Sequence, residues 1–285
     1  MAVIPSLEYE TKLQERLNAP MVWKEVCYVR YTDTGIVRNP YLTDVTVSTG
    51  TRGTGYTSVA IATNDETVTV SDYSYSAEHI DDADLAQKSF SDFMEIADNM
   101  GTLLNETMET AMLLEHAQWT NLGDAGSGVP GTGTGALTIS ISNVKQLIAF
   151  IKETIRSAGG GDMADRNGIF IQWREKDFTL VELLASSEGF NTADDALKNG
   201  IKQGFKYLGV EHYSTSKNVT GHVFAGVKKT FWAIVVKSTY GKMKQLVNPV
   251  VSGAQISGVG LESRIDRKFK AWNKVTPILF DINVA

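Results

Sequence analysis

The sequence predicts an α+β fold organised around one unusually long helix. Three observations predict it: an apolar stripe at helical period between residues 80 and about 119, alternating β-branched segments on both sides of it, and the lack of a regular strand–helix–strand rhythm. With 285 residues, 42% hydrophobic and 21% charged, the chain is long enough for one large domain or two modest ones.

Residues 1 to about 40 show no sustained period. Leu7, Leu13 and Leu17 share one face of a short helix, the stretch from Trp23 to Tyr31 reads as extended, and Asn39-Pro40 makes a stop. This region is expected to be an arm that docks on something else. Residues 43 to 76 read as β structure: Thr43 to Ser48, a loop at Thr51 to Gly55, Tyr56 to Ala62, a turn at Asn64-Asp65, and Thr67 to Tyr75. Thr, Ser and Tyr dominate these strands, so the hairpin buries little and needs a partner surface.

The long helix is expected from residue 80 to about 119. Asp81 or Asp82 caps its start, Asp84 adds acid to the first turn, and Phe93, Ile96, Ala97, Met100, Leu103, Leu104, Met108 and Ala111 form the stripe. Its length is about 55 to 60 Å, a beam for a chain of this size. Gly101 is its weak point, costing on the order of 1 kcal/mol against Ala.

Beyond it, Gly123 to Gly135 reads as a flexible loop. A second amphipathic helix runs from a Ser142 cap through Leu147, Ile148, Ile151 and Ile155 to Gly159-Gly160-Gly161. Gly168 to Trp173 is a short buried strand, Phe178 to Ala185 a helix, Leu208 to Tyr213 and Phe231 to Val236 strands, and Lys268 to Val284 extended. No internal repeat and no long heptad run is present.

Chemistry is sparse. The net charge of −6 argues against a dedicated nucleic-acid binder but not against a container for nucleic acid. Cys27, the one cysteine, allows no intrachain disulfide and reads as a buried small hydrophobe. No signal peptide or membrane span is expected, since the longest apolar runs are too short to cross a bilayer. Asn105-Glu106-Thr107 and Asn218-Val219-Thr220 fit the glycosylation pattern without further support. Gly126-Ser127-Gly128-Val129-Pro130-Gly131 has dinucleotide-fingerprint spacing, but it follows a helix and Pro130 removes an amide, so the match is discarded. His79 and His116 lie near opposite ends of the long helix; His212 and His222 flank a loop and can meet, but structural histidine is the commoner case. Asp81, Asp82 and Asp84 read as caps. No catalytic residue, cofactor or metal site is expected, and the chain reads as a structural protein.

The order of parts resembles the major capsid proteins of tailed bacteriophages, with their Hong Kong 97-like fold. Thr67 to Tyr75 followed by Ile80-Asp81-Asp82-Ala83-Asp84-Leu85-Ala86-Gln87 is similar to the family's passage from extended loop to spine helix. Asn121-Leu122-Gly123-Asp124 resembles the turn after the spine. Gly209 to Ser214 with Val223 to Ala233 resembles the axial domain, and Arg264 to Phe280, containing Pro277, the peripheral terminal strands.

That resemblance implies an N-terminal arm (1–40), an extended hairpin loop (41–76), a peripheral domain with the spine helix (77–137), an axial domain (138–250) and peripheral terminal strands (251–285). It implies self-assembly into homo-pentamers and homo-hexamers of an icosahedral head that encloses double-stranded DNA without sequence-specific binding. Partners would be scaffolding, portal and decoration proteins of the same phage, with no membrane. The protein would reside in the virion and be assembled in the bacterial host cytoplasm. The acidic balance suits a container that must not adhere to its contents. The alternatives are an encapsulin-like nanocompartment shell, or another virion protein such as a tail-tube subunit. Arg52, the only charge at the hairpin tip, and Tyr56 beside it are the expected contacts to a neighbouring subunit.

Overall fold

The computed structural model describes residues 6–42, 52, 63–81, 90–187, 205–217, 219–247, 250–251, 254–255 and 257–285. Its N-terminal part is α1 (Ser6–Leu17), α2 (Val22–Val26), β1 (Tyr28–Thr32) and β2 (Ile36–Leu42). Then come β3 (Thr63–Thr69), β4 (Asp72–Asp81) and the long helix α3 (Phe90–Leu114), closed by a 3₁₀ turn over Glu115–Gln118.

The N-terminal segment is not an arm docked elsewhere. Tyr9, Leu13, Leu17, Val22, Trp23 and Val26 are buried against Met100, Leu104, Met108 and Met112 of α3. A short amphipathic helix is marginal alone but stable once its apolar face is covered, and α3 covers it. Gly101, the apparent weak point of α3, is what lets α1 lie so close. A Cβ there would sit 2.8 Å from the Cβ of Arg16 and 3.0 Å from the carbonyl oxygen of Leu13. Asn105 ties the joint together. Its Oδ1 accepts from the Trp23 indole at 2.9 Å, and its Nδ2 donates to the carbonyls of Arg16 and Ala19 at 3.2 and 3.3 Å. Those carbonyls are at the open C-terminal end of α1, where a helix lacks its own donors. Asn105 is thus buried and committed, which removes it as a glycosylation acceptor.

The helix begins later than expected. Asp81 pairs with Gly258 as the last residue of β4, so the Asp81 cap is corrected: ladder pairing through Ile80 and Asp81 holds the chain extended. Asp82 and Asp84 lie outside the described residues. At its 25 residues α3 is about 37 Å long. The stripe is buried at Ala97, Met100, Leu104, Met108 and Ala111, whereas Leu103 is 55% exposed. Asn39-Pro40 is not a stop either. Pro40 lies opposite Asp65 in the two-stranded β2–β3 ribbon, where a strand missing one amide is tolerated at a free edge.

Two larger sheets flank α3. After the Gly-rich segment come β5 (Thr120–Asp124), β6 (Pro130–Gly131), α4 (Val144–Ser157), α5 (Gly161–Asn167), β7 (Ile169–Arg174) and α6 (Glu175–Ser187). The remaining strands are β8 (Phe205–Tyr207), β9 (Val210–Thr215), β10 (His222–Val227), β11 (Trp232–Val236), β12 (Met243–Val247), the short pair β13 (Val250–Val251) and β14 (Ala254–Gln255), β15 (Gly258–Lys270) and β16 (Leu279–Asn283). In the first sheet β15 is the axis: β4 pairs along one edge, and β11 and β12 share the other, with β1 parallel to β11. The second has the order β6-β5-β16-β10-β7-β9-β8. β16, expected among peripheral strands, therefore belongs with β10 and β7, where Leu279 to Asn283 complete an otherwise open edge.

The second sheet is buried on both faces, which is why Ile169 to Trp173 is apolar on both sides of the strand apart from Gln172, which is also buried. Ile169, Ile171, Trp173, Val223 and Ala225 meet Leu147, Ile148, Ile151 and Ile155 of α4, and Phe170 and Phe224 point the other way into the α3 core. Asn143, not Ser142, precedes α4, and its Oδ1 accepts from the Ser140 amide at 2.8 Å. Leu208 and Gly209, read as strand, form the turn between β8 and β9, both at positive φ.

The Gly-rich segment is an ordered hairpin rather than a flexible loop. A Cβ on Gly133 would lie 1.8 Å from the carbonyl oxygen of Asp124, so backbone meets backbone where a side chain has no room. The Asp124 carboxylate accepts from the amides of Gly126 and Gly128 at 2.7 and 3.1 Å, closing the turn.

Gly101→Ala tests the close approach of α1. Helix propensity alone favours the variant by about 1 kcal/mol, whereas displacing α1 costs about 1–3 kcal/mol. A lower urea midpoint is expected; a more stable variant would show that α1 can shift at no cost.

A pH prediction comes from His212, buried between Trp173 and Phe205. Burial lowers its pKa from 6.5 to about 4, with the Tyr207 carbonyl opposing. The unfolded chain takes up this proton near pH 6.5 and the folded chain only near 4. Stability is therefore full above pH 6.5 and falls as pH drops towards 4, by up to about 1.4 kcal/mol per pH unit. Urea midpoints across that window, compared with His212→Gln, should show a shallower acid slope in the variant. Parallel slopes would remove His212 as the cause.

Candidate assembly surfaces

The β2–β3 ribbon is fastened to its own chain near its base, where the Glu66 carboxylate also accepts from the Asn273 amide at 3.0 Å. Val37 and Val68, directly opposite each other, pack on Ile234 and Trp272. On the opposite face Ile36, Arg38, Pro40, Asp65, Thr67 and Thr69 are exposed, so one face of the ribbon is open along its described length, while Asn39 and Glu66 on the clamped face are half-buried. A two-stranded ribbon covered on one face only near its base is weakly held against its own subunit. Of the two residues predicted at its tip, Arg52 is exposed, and Tyr56 lies outside the described residues, as do the expected strands at Thr43–Ser48 and Tyr56–Ala62.

The outward face of the first sheet is a second surface. Tyr73 and Tyr75 stand on β4, 51% and 65% exposed, with their rings 5.9 Å apart. The Arg264 guanidinium lies 4.2 Å over Tyr73 and is held by Asp266 at 2.6 Å. Leu246 and Val247 of β12 are also exposed. Beside this sheet Glu78, Ile96, Asn99, Met100, Thr102 and Leu103 line a groove of about 420 Å³ between β4 and α3. The exposure of Leu103 follows from helix geometry: it stands about 100° around the axis from Leu104, on the side that neither α1 nor the sheet covers.

Charged groups link the ends of α3 to its surroundings. Lys268 reaches Asp72 at 2.8 Å and Glu115 at 3.2 Å, and its hydrogen bond holds the Asp72 carboxyl below its ordinary range. Glu109, buried on α3, has its pKa raised by burial, opposed by hydrogen bonds from Thr215 and the Val22 amide. It lines a cavity of about 320 Å³ with Glu106, Glu175 and Lys217, and Lys217 pairs with Glu106 at 2.9 Å. Cys27 is buried with its thiol pushed up, as expected of a small core hydrophobe.

The histidines are arranged otherwise than expected. His212 does not meet His222. Its Nδ1 accepts from the Trp173 indole at 2.9 Å inside the second core. His222 instead faces His116, ring centroids 4.4 Å apart, with Asp281 between them. Sequence reasoning missed this cluster because His116 and Asp281 are 165 positions apart; the only local signal is a lone Asp in the apolar run of β16.

No known sequence family matches the chain, and no curated protein resembles it in sequence. Solved structures do share its fold. A chain from Gordonia phage Cozz superposes with a TM-score of 0.64 at 11% identity, covering 93% of this chain and 86% of that one. The capsid of Ralstonia phage GP4 gives 0.61 at 10% identity over 90% and 86%. A virus-like particle from Pyrococcus furiosus gives 0.56 at 11% identity over 97% and 98%. The fold is thus the α+β, Hong Kong 97-like capsid fold that the order of elements predicts.

Proposed function

We propose that the chain is the major capsid protein of a tailed bacteriophage, assembling as pentamers and hexamers into an icosahedral head around double-stranded DNA. The observation that carries this reading is the shared fold over most of both chains, joined to a ribbon with one face open along its described length. Scaffolding, portal and decoration proteins are the expected partners, and the virion, assembled in the host cytoplasm, its place. The first sheet with α3 then corresponds to the peripheral domain and the second sheet with α4 to α6 to the axial domain. The net charge of −6 keeps the lining from adhering to DNA. A second reading is an encapsulin-like shell that packages protein cargo; the near-complete mutual coverage with the virus-like particle from Pyrococcus furiosus supports a shell as such.

Electron microscopy of the expressed protein tests both. Shells, capsomers or tubes are expected; a monodisperse monomer at high concentration contradicts assembly. Nuclease-resistant DNA in particles made with phage partners supports a phage head, and co-purifying protein cargo supports the alternative.

Arg52→Glu separates assembly from folding. Arg52 is exposed, so the subunit's melting temperature should stay within a few degrees, consistent with a change below about 0.5 kcal/mol. A surface charge pair is worth only about 0.2–1 kcal/mol, but the shell repeats it in every subunit and the reversal adds repulsion. Shell yield should fall, most at low salt. Normal yield in sedimentation would place Arg52 outside any contact, and a collapsed melting temperature would place it in the subunit's own fold.

A further inference from the structure

Among the described residues, His116, His222 and Asp281 are the three metal-ligating side chains whose ligand atoms all lie within 4.8 Å of one another. His116 sits on the 3₁₀ turn that ends α3, His222 opens β10, and Asp281 lies in β16. Strand alternation puts Asp281 on the α3 side of the second sheet, with Leu279, while Phe280 and Ile282 point into the other core. Its two oxygens are divided: Oδ2 is 3.0 Å from Nδ1 of His116, and Oδ1 is 2.8 Å from Nδ1 of His222.

We propose that His116, His222 and Asp281 bind a transition-metal dication of the zinc class, a role that the sequence alone did not suggest. Two imidazole nitrogens and one carboxylate are a ligand set that zinc takes, leaving a fourth position for water. Two nitrogen donors disfavour magnesium and calcium, which prefer oxygen. The two N–O contacts must open slightly, and the remaining ligand pair, within 4.8 Å, must close. Ligand atoms around a tetrahedral zinc, at about 2.0–2.1 Å each, stand roughly 3.3 Å apart, so the N–O distances must open by a few tenths of an ångström. Each neutral ring can carry its proton on Nε2, which frees the Nδ1 lone pair without net proton loss.

The surroundings favour a cation. The Asp281 side chain is only 5% exposed, and among the described residues its ion-pair partners are these two histidines, with no lysine or arginine. The Phe224 ring lies 6.2 Å from His116 and 6.5 Å from His222, a dry wall behind the site. A neutral imidazole gives a buried carboxylate a hydrogen bond but no charge, whereas a dication supplies both charge and coordination. The histidine side chains are 27% and 22% exposed, so an ion can reach the site from solvent. Occupancy would pin the end of α3 to β10 and β16 of the second sheet.

The test uses the full chain, stripped with EDTA and then given ZnCl₂ or CoCl₂ alone. Calorimetry should find one equivalent per chain, cobalt should show the visible bands of a low-coordinate nitrogen–oxygen site, and zinc should raise the melting temperature. His116→Gln, on a surface turn, and His222→Gln should each weaken binding roughly tenfold or more while keeping a folded circular-dichroism spectrum. His79→Gln, an exposed histidine elsewhere, should bind as the parent does. Zinc binding unchanged in both site variants would overturn the proposal. So would a parent protein that takes up no stoichiometric cobalt or zinc, which would leave the trio as a hydrogen-bonded bridge only.

Discussion

The burial of α3 is the constraint on which the rest of the structure depends. Met100, Leu104, Met108 and Met112 share one core with α1 and α2, with Ile265 and Phe269 of the first sheet, and with Phe170 and Phe224 of the second. Because one helix face serves three neighbours, none of them is complete without it. Gly101 sets how close α1 can come, and Asn105 ties the end of α1 to α3 by donating to the carbonyls of Arg16 and Ala19. At its far end the helix is joined to one sheet by Glu115 and Lys268 and to the other by His116 and Asp281.

What was legible in the sequence is what local periodicity encodes. The α3 stripe, the Leu147–Ile155 face of α4 and the mostly apolar, two-faced burial of β7 each follow from packing that acts on neighbouring residues. The start of α3 was misread because the acidic residues near 81 look like caps, while Asp81 is committed to a ladder with Gly258, far along the chain. The docking of α1 on its own chain, and the helix at Val22–Val26 where extended chain was expected from Trp23, were missed for a similar reason. Their polar faces are long, and the cover for Leu13 and Trp23 comes from residues some eighty positions away. Glycine carried a double meaning: the tract at 123–135 looks like slack chain, yet its glycines mark places where backbone lies against backbone.

The candidate site was legible only as a region. A hairpin rich in Thr, Ser and Tyr announces that it cannot bury much, and the open outer face of the β2–β3 ribbon agrees with that for its described part. Which residues touch a neighbour is a property of a second copy of the chain, so no periodicity within one copy encodes it. The outward Tyr73, Tyr75 and Arg264 group was equally hidden, because alternation marks these residues as non-core without saying whether water or protein covers them.

The separation of roles between core and surface bears on how such a chain can serve a closed shell. The interactions that fix the subunit, α1 on α3, Phe269 on Trp23 and the β7–β10 pairing, are made within one chain and are dry. The ribbon and the outward face of the first sheet are polar or only lightly apolar, with exposed charges paired locally, as Arg264 is by Asp266. Contacts built from such surfaces are individually weak and salt-sensitive. That suits assembly, because a subunit joined by weak contacts can leave a wrong position before many contacts close around it. A subunit that drew its folding stability from those same contacts would have to unfold in order to correct a mistake. By burying α3 inside a single chain, the fold keeps correction of assembly independent of folding.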